Sequence, residues 1–346
     1  MTLLVERRHA QPVRLRGKVE LFRPLPKVLA GHPVGLSNGS HRKESVVRFR
    51  SLDATWEPDR VSVLEVWVGD GEWYRSGCRS LIYNEGCMYR LKGARFDNLK
   101  ISHNEGVVQV DGAQLAEDAD HEIVVAEFFN QQLKEQGFPI CMTPVGCYQP
   151  FIHAPEYQLK IPIFAVSGDT RLDELLYITE RLSLAYITAS AASLFYEQVG
   201  LGLGTLLRCM HNAGLVWSDA RAGSNVHAGN VVVFPYADRI GLGLVDLDSS
   251  IHCDECSGRM FQRLKNEEKE KFHRALWEVG TAEHDLRFYT GHFAVYKHQG
   301  RILLGKAFQE GYRKGVYNPF VERRIFDDYF STLREVAQHS LAIEHF

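Results

Sequence analysis

Residues 211–234, HNAGLVWSDARAGSNVHAGNVVVF, and the GLVDLDSS that follows at 243–250 decide how this chain is read. After Asn230 an apolar run, VVVFP, gives way to the polar YADR and then to IGLGLVDLD. Two extended runs around a polar turn predict a hairpin that reverses near Ala237–Asp238, with Asn230 at the start of one strand and Asp246 at the end of its neighbour. An amide oxygen and a carboxylate are hard donors of the kind Mg²⁺ accepts together with water and phosphate oxygens. The plainer reading makes Asn230 a turn cap and Asp246 a helix cap. Their joint placement on adjoining strand ends favours the metal. Asp248, two residues on, would share a side with Asp246 if the segment stays extended, and is a further candidate ligand.

Working outward, the chain of 346 residues is 45% hydrophobic, enough for one large two-lobed domain or two ordinary ones. Its formal charge of -3 gives no bulk attraction for nucleic acid or an acidic membrane, so any anion site must be local. No apolar run approaches the roughly 18 residues of a membrane span, and MTLLVERRHA carries no signal-peptide-like apolar run. Seven cysteines in such a chain suit a reducing cytoplasm. HCDEC spaces Cys253 and Cys256 as one C-x-x-C knuckle; a structural zinc site ordinarily uses two, so these read as ordinary thiols.

Residues 1–60 are Arg-rich and turn-rich, with strand-like pieces, and name no chemistry. From Val61 the texture is strand, turn, strand: VSVLEVWVGDGEWY, RSGCRS, then LIYNEGCMYRLKGA, an antiparallel meander ending near Lys92. HEIVVAEFFNQQLKEQG spaces Ile123, Ala126, Phe129 and Leu133 as one amphipathic helix closed by Gly137 and Pro139. YQLKIPIFAVSG reads as a strand, residues 169–214 as helix nearly throughout, and residues from about Met260 to Phe346 as mostly helix.

Moving a phosphoryl group requires a cation on the nucleotide phosphates, oxygen ligands for Mg²⁺, and a group that positions the acceptor. Lys92 at a strand end and Glu127 on the next helix are candidates for an ion pair that aims the amine, although either alone is more often a solvated charge. Ser76, Gly77 and Arg79 in RSGCRS are candidates to cover phosphates; with one glycine, a plain hairpin turn explains them equally well.

The run GLVWSDARAGSNVHAGNVVV resembles the catalytic loop of the protein-kinase-like superfamily, especially the small-molecule branch of aminoglycoside phosphotransferases and choline kinases, whose loops read H-G-D-x-H-P-G-N before an apolar strand. His227, Gly229 and Asn230 match the end of that motif, while the position of the family's Asp is Asn225 here. A second, partial resemblance is to the selenoprotein O family, kinase-fold proteins that transfer AMP to proteins. Their Lys lies in LKGAG, as Lys92 lies in RLKGAR; their helix Glu precedes LGIP, much as Glu127 precedes QGFP; and they too lack an Asp five residues before the metal-binding Asn. These matches run from about Val61 to Ser250. They imply an α+β, two-lobed kinase-like fold: an N-terminal extension at 1–60, a small antiparallel β lobe with one helix at 61–167, and a mostly helical large lobe at 168–346. They also imply ATP and Mg²⁺ as cofactors, with LKIPIFAV at the lobe junction where its backbone would meet adenine.

The resemblance leaves two readings of the base. Forward from the helix, HNAGLVWSD parallels HEAGIVHGD, which makes Asp219 the base and ARAGSN an insertion; backward from Asn230, the position is Asn225. The forward reading is preferred, since a loop insertion costs little and a carboxylate accepts a hydroxyl proton while an amide does not. Arg221 in the insertion would then be available to phosphate, or simply solvated. The expected function is Mg-ATP-dependent phosphoryl transfer to a hydroxyl of an unidentified protein or small molecule. The alternatives are protein AMP transfer and a catalytically silent nucleotide-binding pseudokinase.

Overall fold

Strand-forming runs on either side of Asn84-Glu85-Gly86 pair in register as an antiparallel meander, and the remaining elements of the first half assemble on it. A computed structural model describes residues 10, 13–14, 17–24, 34–35, 50–51, 65–66, 72–77, 79–95, 100–104, 107–150, 157–172, 189–217, 226–278, 292–329 and 331. The chain divides into two compact units, Met1–Glu127 with Met142–Ser167, and Phe128–Cys141 with Gly168–Phe346.

The first unit is built on a six-stranded sheet. Its strands are β1 (Gly17–Leu21), β2 (Glu72–Ser76), β3 (Ser80–Glu85), β4 (Cys87–Lys92), then, after the separate hairpin of β5 (Lys100–Asn104) and β6 (Val107–Asp111), β7 (Met142–Pro150) and β8 (Ile161–Val166). The order is β1-β7-β8-β4-β3-β2, and each pairing is antiparallel. The N-terminal region, to which the sequence assigns no role, thus supplies an edge strand. Leu81, Tyr83, Leu91, Tyr148, Ile161 and Ile163 are fully buried, and Trp73 meets Tyr83 with ring centroids 4.7 Å apart. Side chains of this size contribute roughly 1.5–3 kcal/mol each when removed from water. Helix α1 (Ala116–Glu135) follows β6 and turns Ala119, Glu122, Ile123, Ala126, Phe129 and Leu133 inward.

In the second unit helix α2 (Ala189–Asn212) packs against helix α4 (His292–Lys314), and α3 (Gly258–Glu278) joins them through Phe272, whose ring lies 5.0 Å from Phe308. The VGLGLG run of α2 explains the closeness of that packing. A Cβ on Gly204 would lie 2.1 Å from the Phe308 carbonyl oxygen, and one on Gly311 would lie 2.1 Å from that of Leu201. Only a residue without Cβ lets the two backbones touch. Beside the helices stands a four-stranded sheet, β9 (Thr170–Arg171), β11 (Val231–Tyr236), β12 (Arg239–Leu244) and β14 (Phe320–Glu322), in that order. A short ladder joins β10 (Leu215–Val216) to β13 (Ile251–His252).

The fold is α+β: an antiparallel sheet with one helix, then a mostly helical unit. Two stretches expected to be helical contain strands. Thr170–Arg171 pairs with β11, and Phe320–Glu322 pairs with β12, both too short to impose a period of two on the sequence. No helix among the described residues is long and apolar enough to cross a membrane.

Candidate functional site

Lys92 ends β4 opposite Ser80 of β3, and its ammonium is 2.8 Å from Glu122 Oε2, with the two side chains 6% and 1% exposed. Gln114 Nε2 donates to the same oxygen at 2.9 Å. Burying such a pair costs several kcal/mol of desolvation per ion, offset only when geometry is good and further hydrogen bonds are made. A cation held in this way is aimed rather than merely present.

Glu127 is therefore not the partner of Lys92; it is exposed, and Glu122 takes the place expected for it. The reason is helix phase. Five residues at 3.6 per turn rotate a side chain by about 140°. Glu122 lies in line with Ala126, Phe129 and Leu133 on the buried stripe, whereas Glu127 shares a face with Val124, which is 65% exposed. The stripe is legible in the sequence, and extending it back by one turn picks out Glu122.

The Arg75–Ser80 loop is a hairpin beside this pair. The Arg79 carbonyl accepts the Gly93 and Ala94 N–H groups at 2.8 and 3.0 Å, which ties the loop to the end of β4. Ser76 is buried and its hydroxyl accepts from Arg90 Nη2 at 3.2 Å, and the Gly77 carbonyl accepts from Arg95 Nη1 at 2.7 Å. The Ser76 side chain is thus engaged within the sheet.

In the second unit the hairpin of β11 and β12 reverses at Ala237–Asp238, and Val231 pairs with Leu244. That register carries Asn230 and Asp246 together: Asn230 Nδ2 donates to Asp246 Oδ2 at 3.1 Å. Asn230 ends a single turn of 3₁₀ helix, Ala228–Asn230, capped by His227, whose Nδ1 accepts the Gly229 N–H at 3.0 Å. Arg171 Nη1 donates to the Gly229 carbonyl at 3.0 Å, and the Asn230 carbonyl accepts the Val245 N–H at 3.0 Å. Asp246 adopts φ 65°, the left-handed region, which Asp tolerates better than most residues but which costs free energy that its surroundings must supply. An amide and a carboxylate in contact form an oxygen donor set that fits Mg²⁺. Asp248 sits in a turn closed by the Ser250 N–H on the Leu247 carbonyl, so the alternation of an extended segment does not relate it to Asp246.

Ser218 to Asn225 lie outside the described residues, and with them Asp219, Arg221 and Asn225. The root of that loop is described, and it is pinned by residues the sequence did not single out. Trp217 donates its backbone N–H to Glu268 Oε2 at 3.0 Å and its indole N–H to the Val245 carbonyl at 2.9 Å, and its own carbonyl accepts from Ser250 Oγ at 3.2 Å. Glu268 Oε2 also meets His211 Nε2 at 2.7 Å, and His211 Nδ1 meets the Tyr312 hydroxyl at 2.7 Å. Burial raises the Tyr312 pKa, keeping the phenol protonated and able to donate. One polar network from α2, α3 and α4 thus fixes Trp217, which in turn holds the residue preceding Asp246.

No protein-family model and no curated protein matches the chain. Among solved structures it is similar to a glucosamine kinase in complex with glucosamine, ADP and inorganic phosphate, with TM-score 0.36 and 14% identity over 96% of this chain and 91% of that one. It is similar also to a rhoptry antigen kinase domain of Toxoplasma gondii, with TM-score 0.38 and 10% identity over 95% and 87%, and to WaaP in complex with acyl carrier protein, with TM-score 0.35 and 16% identity over 71% and 88%.

Proposed function

We propose that the chain is a Mg-ATP-dependent kinase-like phosphotransferase acting on a hydroxyl group of a protein or small molecule. The observation that carries this reading is the contact between Asn230 and Asp246, two oxygen-bearing side chains brought together by the β11–β12 register. Those residues would hold Mg²⁺, which when bound neutralises charge on the phosphates. Lys92, oriented by Glu122, would place its ammonium on the nucleotide phosphates. Asp219, two residues after the anchored Trp217, would accept the proton of the attacking hydroxyl as its oxygen bonds to the γ-phosphorus and the bond to the β-γ bridging oxygen breaks. Seven cysteines in a chain of this size suit a reducing, cytoplasmic compartment.

Incubation with Mg²⁺ and ATP labelled at either the α or the γ phosphate tests the reaction class. The proposal expects γ-label on the product. α-Label on the product would replace it with AMP transfer, and binding without transfer of either label would replace it with a silent nucleotide binder.

A further inference from the structure

The HCDEC segment lies at the other end of the turn that follows Asp246, and the structure brings to it more than its cysteines. Strand β13 pairs with β10, and the Cys253 N–H donates to the Gly214 carbonyl at 2.8 Å. The chain then makes one 3₁₀ turn, Cys253–Glu255. His252 Nδ1 accepts the Asp254 N–H at 3.3 Å, and Glu255 Oε1 accepts the His252 N–H at 3.2 Å. One backbone bond and two side-chain-to-backbone bonds therefore fix the turn. The His252 ring is held further by the edge of Phe128, with centroids 5.5 Å apart.

We propose that His252, Cys253 and Asp254 form a binding site for a borderline-soft divalent cation of the zinc class. Among the described residues they are the one group of His, Cys and carboxylate side chains whose donor atoms all lie within 4.8 Å of one another. Cys253 Sγ is 3.9 Å from His252 Nε2, 4.0 Å from its Nδ1 and 3.8 Å from Asp254 Oδ1, and His252 Nδ1 is 3.4 Å from Asp254 Oδ2. With zinc at its usual distances from sulfur, nitrogen and oxygen, neighbouring tetrahedral ligands stand about 3.4–3.6 Å apart. With His252 Nδ1 already accepting the Asp254 N–H, Nε2 is the imidazole donor, and the three donor atoms, all within 4.8 Å of one another, need to close by about 1 Å or less, within the reach of side-chain rotation.

A thiolate and a carboxylate balance the charge of a divalent ion, and the imidazole completes a sulfur, nitrogen and oxygen set. Such a set selects zinc over magnesium, in contrast to the all-oxygen pair of Asn230 and Asp246. Cys256 is extended after the turn and does not belong to this group, so water would take the fourth position. Gly214 closes the opposite side. Its φ is +81°, and a Cβ there would lie 2.9 Å from Cys253 Sγ and 3.3 Å from His252 Nε2. The cation would thereby fix residues 252–254 in one turn, which the Cys253 N–H already ties to the Gly214 carbonyl.

The test uses the full chain with Mg²⁺ in excess, titrated first with Co²⁺ and then with Zn²⁺. One equivalent of Co²⁺ is expected to give a thiolate-to-cobalt charge-transfer band and the intense visible bands of tetrahedral coordination, both removed by Zn²⁺. An ion at Asn230 and Asp246 has no sulfur ligand and gives no such band. Cys253→Ser is expected to abolish the band. Asp254→Asn alters a side chain that is 87% exposed and leaves folding intact, and it is expected to weaken zinc binding by roughly tenfold or more in competition with a chromophoric chelator. Absence of the band, its persistence in Cys253→Ser, or unchanged zinc affinity in Asp254→Asn would each overturn the proposal.

Discussion

The pair Asn230–Asp246 and the pair Lys92–Glu122 are each a contact between two polar side chains, and the chain makes them by different means. The first is set by a single hairpin: once Tyr236 pairs with Arg239, the ladder carries Val231 to Leu244 and brings Asn230, one residue beyond, beside Asp246, two residues beyond. The second joins a strand end to a helix thirty residues later, and which glutamate arrives depends on the rotational phase of α1. A strand register propagates without error through one turn, whereas a helix offers a new face every residue. The two also differ in environment, since Lys92 and Glu122 are both nearly inaccessible while Asp246 is half-buried and holds a left-handed backbone. The Lys92 pair rests on desolvated charge, the Asn230 pair on a carboxylate held in a left-handed backbone.

The largest effect that would sharpen this contrast belongs to the loop leading to Asn230. Asp219→Asn is expected to lower turnover by roughly 10² to 10⁴ with nucleotide affinity nearly unchanged, as loss of a general base does. Asn225→Ala is expected to cost less, and the reverse order in steady-state kinetics would move the role to position 225.

The next effect breaks the comparison on the Lys92 side if it fails. Glu122→Gln leaves a buried ammonium without its counter-charge and should destabilise the fold by about 3 kcal/mol, with turnover falling as well. Glu127→Gln changes an exposed side chain and should stay within about 0.5 kcal/mol. Denaturant melts of the two variants, with turnover measured on each, check both. Equal effects would mean that the ion pair contributes nothing.

The smallest effect concerns Arg171, whose guanidinium reaches the Gly229 carbonyl and stands 3.8 Å from Asp169. Arg171→Lys keeps the charge and loses the forked donor. It should raise the Mg²⁺ concentration needed for half-maximal turnover by roughly tenfold or less, with little change in the melting transition. An unchanged Mg²⁺ requirement would show that the Gly229 carbonyl needs no anchor.

Local patterns make much of this legible in the sequence. NVVVFPYADRIGLGLVD contains its own register, so the Ala237–Asp238 turn and the meeting of Asn230 with Asp246 follow from the apolar runs and the turn residues between them. The α1 stripe is equally readable, but LKGAR and EQGFP point to Glu127 by position in a motif, and motif position is a weaker guide than helical phase. The Glu268, His211 and Tyr312 network was not legible, because its three members come from separate helices whose close approach depends on Gly204 and Gly311. The same holds for His252 and Asp254, which are unremarkable in sequence until a 3₁₀ turn folds them onto Cys253.

The central claim, that Asn230 and Asp246 are the metal ligands of a nucleotide site, is tested most directly by calorimetric ATP binding with and without Mg²⁺, on the unaltered chain and on Asp246→Ala. The account predicts that Mg²⁺ tightens ATP binding to the unaltered chain and that this dependence disappears in Asp246→Ala, while thermal unfolding of the variant remains a single cooperative transition. ATP affinity that ignores Mg²⁺ in the unaltered chain, or a Mg²⁺ dependence that survives in the variant, would contradict it; survival would transfer the ligand role to Asp248.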